Sequence, residues 1–349
     1  MEINQITAQF GSAQEAVSAG PIRWRENSDI SRESAEALAA QITRIKGEAT
    51  LELETAKNHG IRVIPQGSEG YPPLLKELSD APPIIYIWGE EANWEEPALA
   101  LVGSRRCSFY GEKVAKELAS DLALAGVVTV SGLARGIDSV IHRETLAQGG
   151  TTWAVLGSGL LEIYPPENKS LAEAVRKKGA LISEFPLRAK PLPYNFPRRN
   201  RIISGISLGC VVIEGDEKSG ALITGRLAAD QGREVFAVPG SIHSSMSRGP
   251  NFLIKNGAKL LQNVEDIFDE LPQLRGEKRA NLKGLDENKD LHLNRIYENI
   301  LSFIQAEPVH KDVLVAAMKE DVNSLGSILV EMELNGLVRN LPGGFVART

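Results

Sequence analysis

The stretch ALALVGSRR, residues 98–106, runs from a wholly apolar segment into a turn that carries two arginines. Similar apolar runs follow it, separated mostly by segments with helical spacing: VVTVSG (127–132), TTWAVLGSG (151–159), ALISEF (180–185), GCVVIEG (209–215) and REVFAVPG (233–240). Runs that are apolar nearly throughout are typical of strands buried on both faces of a parallel sheet. The series therefore predicts an α/β fold with a doubly wound, mostly parallel sheet.

Segments of different character flank this pattern. Helical spacing in residues 1–60 predicts a small helical N-terminal region, and the sheet domain is expected to span residues 61–271. Residues 272–292 are polar and highly charged, which predicts a linker. Three amphipathic segments and two short strands around residues 342–344 predict a winged helix over residues 293–349.

The composition excludes several classes of protein. With 42% hydrophobic and 24% charged residues over 349 positions, the chain is neither disordered nor collagen-like. Cys107 and Cys210 form no CxxC pair and the histidines lack metal-like spacing, so we predict no disulfide scaffold and no metal site. The N-terminus has no signal-peptide pattern, and no apolar run approaches the ~20 residues of a membrane span, so we expect a cytoplasmic protein without a membrane partner.

The formal net charge of −6 is unevenly distributed. Residues 69–96 contain seven acidic residues and one lysine, whereas residues 185–213 contain five basic residues and no acidic one. Attraction to a polyanion depends on local patches rather than on the total charge. The basic segment therefore allows an anionic partner for an acidic protein.

Small and basic residues recur after the predicted strands. They occupy GSRR (103–106), SGLARGID (131–138), GSGLLEIYPPEN (157–168), the segment 183–201 and EGDEKSGALITG (214–225). Ligands of open parallel sheets bind beyond the carboxyl ends of the strands, where small residues and helix N-termini let backbone N–H groups approach an anion. We therefore predict a phosphate-binding edge, although any single glycine also fits a tight turn.

Known nucleotide-binding motifs are absent or incomplete. The chain has no GxxxxGK[ST] motif, which excludes a P-loop NTPase. In GSGLLE (157–162), Glu162 stands in the third glycine position of GxGxxG, so the dinucleotide fingerprint is weak.

The basic segment contains FPRRNR (196–201), which we place on a helix from about Pro197 to residue 207. Arg199 falls on the apolar face of the isoleucines that follow, and Arg198 and Arg201 fall on another face. Cations in a first turn oppose the helix dipole by about 0.3–1 kcal/mol each. A bound anion would reverse that penalty, which favours a functional role for the cluster.

Ion pairing is the alternative explanation for these arginines. Glu184, Glu214 and Asp216 lie at neighbouring strand ends, and we expect them to take one arginine, Arg199, rather than all three. Phe196 beside the cluster suits base stacking in a single-stranded nucleic acid, with core packing as the equal alternative.

Other polar residues have local structural interpretations. Ser108 and Ser219 are predicted helix N-caps, the second leaving the first N–H groups of its helix free for an anion. Asp138 and His142 lie four apart on a predicted helix, which favours a structural contact over a catalytic pair.

These motifs together resemble a known family. VGSRR, SGLARGID, AVLGSG…YPPEN, ISEFP, FPRRNRIISG, SGALITG and VFAVPG occur in the order found in the DNA processing protein A (DprA/Smf) family, over roughly residues 60–271. The resemblance implies an extended Rossmann-like domain in a cytosolic bacterial protein that binds single-stranded DNA and loads the RecA recombinase during natural transformation. It also implies a homodimer formed through that domain, with no cofactor and no catalytic activity.

The flanks resemble the family less closely. Members often begin with a SAM or helix-hairpin-helix unit, and we expect that unit to be truncated here. Residues 292–349 hold five basic and seven acidic residues, which favours a protein-contact or regulatory role for the winged helix over DNA binding.

The resemblance implies that the phosphate contacts are made by the turn Gly103-Ser104-Arg105, by the arginines of FPRRNR (196–201) and by Lys169. It also implies that Phe196 stacks on a base. With the strand ends, it predicts these DNA-binding residues: Gly103, Ser104, Arg105, Arg106, Arg135, Gly157, Gly159, Lys169, Phe196, Arg198, Arg199, Asn200, Arg201, Ser219, Gly220 and Thr224.

Two other functions fit the same residues. A Rossmann-type enzyme acting on a nucleotide, such as a phosphoribohydrolase, could use Glu162, Glu184 or Glu214 as its acid or base. A partner-binding module could pair the arginines with an acidic protein.

Overall fold

The structure is a computed structural model that describes residues 9–27, 31–89, 92–275, 297, 300–304, 308–318, 325–326, 328–329, 332–333 and 337–348. The chain divides into two compact units, Met1–Gly276 and Glu277–Thr349. No helix within these described ranges is long and apolar enough to cross a membrane.

The first unit alternates strands and helices. Its strands are β1 (Arg62–Pro65), β2 (Ile84–Gly89), β3 (Ala98–Val102), β4 (Val128–Ser131), β5 (Thr152–Val155), β6 (Ala180–Ser183), β7 (Gly209–Val212), β8 (Glu234–Ala237) and β9 (Lys259–Leu260). Its helices are α1 (Ala13–Asn27), α2 (Arg32–Asn58), α3 (Pro73–Lys76), α4 (Phe109–Leu124), α5 (Ile137–Ala147), α6 (Lys169–Lys178), α7 (Asn195–Gly205), α8 (Gly220–Asp230), α9 (Arg248–Lys255) and α10 (Val264–Glu270).

The nine strands form one sheet in the order β1-β2-β6-β5-β4-β3-β7-β8-β9. Neighbouring strands from β6 to β9 are parallel, whereas β2 is antiparallel to β6 and β1 to β2. The six apolar runs of the sequence are the strands from β3 to β8, so the predicted parallel sheet is confirmed. The β1–β2 hairpin and the edge strand β9 extend the sheet beyond that prediction.

The order of the strands creates a switch point between β3 and β7. The chain proceeds from β3 outward to β6, then returns to place β7 on the other side of β3. In open parallel sheets a crevice forms at the carboxyl ends of the two strands where the order reverses. The loops after β3 and β7 therefore flank the expected ligand position.

Helices cover both faces of the sheet. Leu99 and Leu101 of β3 pack into a core with α4, α5 and α10. The alternate residues Ala98, Ala100 and Val102 pack into a second core with α7, α8 and α9. Burial of all five residues explains why the strand is apolar throughout.

Serines occupy the N-cap positions of the helices that follow β3 and β7. Ser108 caps α4 and accepts a hydrogen bond from the Gly111 N–H at 3.1 Å, which confirms the predicted cap. Ser219 occupies the N-cap position of α8, also as predicted, without a side-chain capping bond. Both helices thus begin at the carboxyl edge of the sheet.

The N-terminal region is helical, as predicted. Helix α1 is interrupted at Gly20, where φ is 75°, and it packs on α2 through a small core around Trp24. The amide of Leu187 donates a 2.6 Å hydrogen bond to Glu52 of α2, which ties this region to the sheet domain.

The second unit contains the strands β10 (Val309–His310), β11 (Val338–Leu341) and β12 (Phe345–Arg348) and the helix α11 (Lys311–Met318). They form an antiparallel sheet in the order β10-β12-β11. The predicted hairpin is confirmed, with Gly343 and Gly344 at φ 83° and 82° in its turn.

Parts of the remaining predictions lie outside the described residues. The predicted linker begins with a short 3₁₀ helix at Pro272–Leu274, and residues 276–292 lie outside the description. The predicted helical segments at 293–305 and 322–336 are described only in part.

Candidate nucleic-acid interface

Helix α7 carries FPRRNR and begins at Asn195, two residues before the predicted start at Pro197. That predicted start is wrong because proline is tolerated within the first turn, where backbone N–H groups have no partner inside the helix. The predicted apolar face is confirmed, since Arg199, Ile202 and Ile203 are all buried. The three arginines therefore point in different directions.

Arg199 is 4% exposed and serves as an internal cross-link. Its Nη1 donates hydrogen bonds to the carbonyl oxygen of Gly132, at 2.7 Å, and to that of Val155. Burial lowers the pKa of Arg199 to about 10, although the nearby carboxylate of Asp138 acts to raise it. The guanidinium therefore stays charged at neutral pH and joins the carboxyl ends of β4 and β5 to α7.

Glu184 pairs with the other two arginines of the cluster. Its Oε2 lies 2.9 Å from Arg198 and 2.7 Å from Arg201, and Arg201 also lies 3.3 Å from Asp80. The expectation that Glu184, Glu214 or Asp216 would take Arg199 is wrong, because the face that buries Arg199 directs its guanidinium toward backbone carbonyls instead.

A cleft of about 710 Å³ opens at the switch point between β3 and β7. The loop after β3, the first turns of α7 and the start of α8 form its walls. Many of the predicted DNA-binding residues line this cleft: Gly103, Ser104, Arg105, Arg106, Phe196, Arg199, Asn200, Ser219, Gly220 and Thr224. Residues from three separate segments thus meet at the edge of the sheet where the strand-end chemistry predicted phosphate binding.

The turn after β3 is fixed by its backbone and leaves its arginines exposed. The Ser104 carbonyl accepts a hydrogen bond from the Ile137 N–H at 3.1 Å, and the Ser104 hydroxyl accepts one from the Arg106 N–H at 3.1 Å. Gly136, at φ 70°, lies so close that a Cβ there would collide with the Ser104 carbonyl. Arg105 and Arg106 are therefore exposed charges on a rigid support.

Phe196 lies half-buried at the wall of the cleft. The Arg105 guanidinium carbon is 5.2 Å from the centre of its ring, and the ring of Tyr164 is 5.7 Å away at 54°. Gly157 leaves room for the ring, since a Cβ there would lie 2.8 Å from its Cδ1. Core packing and base stacking were the two interpretations of Phe196 from the sequence. The side chain packs against the protein on one part of its surface and also lines the cleft.

The start of α8 lines the cleft together with the arginine turn, residues 103–106 after β3. The amide of Asn200 donates a 3.3 Å hydrogen bond to the Gly220 carbonyl, which fixes this terminus against α7. A Cβ on Gly220 would meet nothing within 4 Å, so space is open beside the helix start. A helix N-terminus carries positive potential and free N–H groups, which suits an anion.

Comparison with known proteins identifies the family. Residues 62–272 match the family model of DNA recombination-mediator protein A, and residues 288–344 match that of the DprA winged helix domain. The chain belongs to the DNA recombination-mediator protein A family. The winged helix predicted at the C-terminus is thereby confirmed as well.

Relatives of this DprA family match over most of the chain. Protein Smf of Escherichia coli K12 is 41% identical over 298 residues, which cover 84% of this chain and 78% of that protein. DNA processing protein DprA of Bacillus subtilis is 41% identical over 240 residues, covering 68% of this chain and 81% of that protein.

Solved structures of DprA proteins are similar too. DNA processing protein A of Streptococcus pneumoniae superposes with a TM-score of 0.67 at 35% identity, covering 76% of this chain and 93% of that one. The Helicobacter pylori protein gives a TM-score of 0.55 at 27% identity, covering 61% and 96%. The latter structure was described as giving insight into a single-stranded DNA binding mode of that protein.

Some predicted residues of this DprA family member lie beside the cleft or are buried. Arg135 is exposed near Phe196 and Tyr164, where it pairs with Glu167. Lys169 is the exposed first residue of α6. Gly157 and Gly159 are both buried; a Cβ on Gly159 would collide with the backbone of the Pro186–Leu187 segment.

Arg198 and Arg201 border a different concavity, a hollow of about 510 Å³ on another side of α7. Asp80 and the segment that follows it form the far wall of the hollow. The cluster that appears continuous in the sequence therefore serves two surfaces, with Arg199 at the cleft and its neighbours at the hollow.

The polar residues of α5 have structural partners. Asp138 accepts hydrogen bonds from the N–H groups of Gly132 and Ala134, at 3.1 and 3.3 Å. Nδ1 of His142 lies 2.7 Å from the Thr152 hydroxyl. The predicted structural role is thus supported, but each side chain bonds to other elements rather than making the contact expected along the helix.

Tyr164 is a cleft residue that the sequence reasoning missed. Its ring packs against Phe196, and it lies inside GSGLLEIYPPEN (157–168), a segment that was singled out for its small and polar residues. An aromatic residue in a loop already predicted to line the phosphate-binding edge was the available signal, whereas its contact with Phe196 is visible only in the structure.

Proposed function

We propose that this protein binds single-stranded DNA in the cleft at the switch point and delivers it to the RecA recombinase in natural transformation and recombination. The observation that carries the proposal is the junction of Arg105 and Arg106, both exposed, with the half-buried ring of Phe196 in one cleft. Arginines that hold phosphates beside an aromatic that stacks a base are typical of single-strand binding without sequence preference.

Each wall of the cleft has a part in this proposal. Arg105 and Arg106 neutralise phosphates, and the start of α8 offers backbone N–H groups to another. Arg199 supports the wall from inside, because its guanidinium is already bonded to main-chain carbonyls. Phosphate contacts and stacking carry little base information, so we expect weak dependence on sequence.

A salt titration tests the binding proposal. Fluorescence anisotropy with single-stranded and duplex oligonucleotides of equal length should show tighter binding of the single strand. Its log–log salt slope should be about −0.7 per phosphate contacted. Replacing Arg105 and Arg106 together by alanine should lower the affinity and flatten the slope.

The matched control is Arg143→Ala, since Arg143 is an exposed arginine of α5 that does not line the cleft. It should bind as the wild type does. Equal affinities for the wild type and the Arg105/Arg106 double variant would refute the proposed site.

Phe196 tests the stacking contribution separately. Phe196→Ala should cost about 1–3 kcal/mol of single-strand binding, while Phe196→Trp should retain it because every base offers a face to an aromatic ring. The salt slope should stay unchanged in both variants, since neither alters a phosphate contact. A change in slope without a change in affinity would contradict stacking.

Delivery to RecA and dimerisation through the Rossmann-like domain complete the proposal, and family membership supports both. RecA filament formation on single strands covered by single-strand-binding protein should be faster when this protein is added. Light scattering should give twice the chain mass of 37.9 kDa.

We further propose that binding occurs without catalysis. Two of the three candidate acids are already engaged: Glu184 holds two arginines, and Glu214 accepts hydrogen bonds from the backbone N–H and hydroxyl of Ser108. Incubation with nucleoside monophosphates should release no free base. Release that disappears in Glu162→Gln would instead support a nucleotide hydrolase.

A further inference from the structure

The hollow beside α7 contains two arginines with very different surroundings. The Arg198 side chain is 58% exposed, whereas that of Arg201 is 10% exposed, and both bond to the same oxygen of Glu184. The Glu184 side chain is 1% exposed at the carboxyl end of β6. One buried carboxylate thus holds an exposed arginine and a buried one.

Only the exposed arginine is free to exchange its partner. If Arg198 left, Glu184 would still be paired with Arg201 at 2.7 Å, so no buried charge would be stranded. Loss of Arg201 would be different, since it is buried and also holds Asp80 at 3.3 Å. Breaking a buried pair by removing one partner is costly, whereas an exposed pair contributes little.

Arg198 is also held in a defined position. Its guanidinium carbon lies 5.6 Å from the centre of the Phe185 ring, and its Nη2 is 2.9 Å from Glu184. Arg198 and Pro197 line the hollow. Phe196, the residue directly before Pro197, lines the cleft. A strand whose base stacks on Phe196 therefore has a cation for a neighbouring phosphate across α7.

We propose that Arg198 forms a second phosphate site on the hollow side of α7, and that Glu184 sets the affinity of this site by competing with phosphate for Arg198. The inference rests on the proposed single-strand binding and extends it to a surface outside the cleft. When a phosphate binds, Arg198 moves from Glu184 to the phosphate and Glu184 keeps Arg201.

The charges around Glu184 make this competition sensitive to pH. Arg198 and Arg201 of α7 pair with Glu184, and Tyr71 interacts with it electrostatically. Asp80 pairs with Arg201 at 3.3 Å. Burial raises the pKa of Glu184, although both arginines act to lower it. As the pH falls, protonation of Glu184 should release Arg198 and tighten DNA binding.

Glu184→Gln tests the competition directly. Glutamine keeps the shape and an acceptor for Arg201 but removes the negative charge. Single-strand affinity should rise about 3- to 10-fold, as expected for one unit charge near the surface. The log–log salt slope should stay close to that of the wild type, since Arg198 contacts the phosphate in both proteins, and it should flatten by about 0.7 in Arg198→Ala.

Arg198→Ala supplies the complementary test, and its own affinity and pH profile do not depend on the stability of the glutamine variant. It should weaken binding, and it should abolish both the gain from Glu184→Gln in the double variant and the rise in affinity at low pH. Such non-additivity is the signature of two residues acting through each other. An additive double variant would overturn the proposal.

Glu173→Gln is the matched control. Glu173 pairs with Arg176 on α6, so the substitution makes the same change of net charge away from both concavities. It should leave affinity and pH profile unchanged. An equal gain in single-strand affinity in Glu173→Gln and Glu184→Gln would mean that the effect comes from the net charge of the protein, and it would overturn the inference.

The two levels of the proposal fail in different ways. If the wild type binds no single-stranded DNA, the proposed function itself fails. If it binds, and the Arg105/Arg106 double variant weakens binding while Arg198→Ala and Glu184→Gln do not alter it, only the second site fails.

Discussion

Two arginines that line the cleft, from different sequence motifs, have opposite relations to solvent. Arg199 is buried and bonded to two carbonyls, whereas Arg106, in the turn across the cleft, is exposed. A buried guanidinium that satisfies carbonyls contributes to stability, since its removal leaves those oxygens without partners. An exposed one contributes mainly to the electrostatic attraction of a ligand.

These differences predict separable effects on stability and binding. Arg199→Ala should lower the free energy of unfolding by about 2–5 kcal/mol, through stranded carbonyls and a lost buried side chain. Arg106→Ala should change it by less than about 0.5 kcal/mol but should weaken single-strand binding. Urea unfolding followed by tryptophan fluorescence, with anisotropy on the same samples, measures both. Similar stability of the two variants would contradict the buried role of Arg199.

The sequence placed Arg199 correctly on the apolar face but did not reveal its partners. Helical periodicity predicts which side of a helix is buried, because that depends only on residue spacing. The carbonyls of Gly132 and Val155 belong to the ends of distant strands. Backbone atoms carry no signature in a sequence, so the expected carboxylate partner was assigned to the wrong arginine.

At the scale of elements, α5 shows how a helix fixes a binding turn. Glycines with positive φ flank it, Gly136 at 70° before its start and Gly149 at 75° after its end. They differ in what surrounds them. A Cβ on Gly136 would collide with the backbone of the arginine turn, whereas a Cβ on Gly149 would meet nothing within 4 Å.

This pair offers a matched test of the turn. Gly149→Ala should cost about 1 kcal/mol of stability from backbone strain alone and leave DNA affinity unchanged. Gly136→Ala should cost more and should also weaken single-strand binding, because the Ser104–Arg105 backbone has to move. Thermal unfolding and anisotropy compare the two. Unchanged binding by a folded Gly136→Ala protein would show that the position of the turn does not matter.

At the scale of the whole molecule, the sheet could be predicted because its central strands are buried on both faces. Six runs that are apolar nearly throughout corresponded to six parallel strands. The β1–β2 hairpin and β9 were harder, since prolines interrupt the first segment and both residues of β9 are exposed. The sequence predicted the chemistry of the cleft but not the hollow, whose far wall comes from the separate segment after Asp80.

Stability of the fold should fall in mild acid because of a buried histidine. His142 is fully buried, and desolvation together with Arg199 lowers its pKa to about 3, against about 6.5 in an unfolded chain. The unfolded state therefore binds this proton first as the pH falls from 6.5 toward 3. The free energy of unfolding therefore decreases as the pH falls from 6.5 toward 3, by up to about 1.4 kcal/mol per pH unit.

Asp138 and Glu184 act in the opposite direction, because burial raises the pKa of each in the folded protein. A comparison of variants isolates the histidine. The difference in unfolding free energy between the wild type and His142→Asn should change steadily between pH 7 and 4, as measured by urea titration. A difference that is independent of pH would rule out a buried neutral imidazole.

The division into two units predicts what the C-terminal unit contributes to DNA binding. Every residue of the cleft and of the hollow belongs to Met1–Gly276, which contains the whole nine-stranded sheet. Residues 292–349 hold five basic residues against seven acidic ones, which gives little attraction for phosphates. A chain that ends at Gly276 should therefore bind single strands within about threefold of the full chain, with a similar salt slope. Anisotropy on both chains is the measurement; a large loss of affinity and a flatter slope after truncation would place phosphate contacts in the winged helix instead.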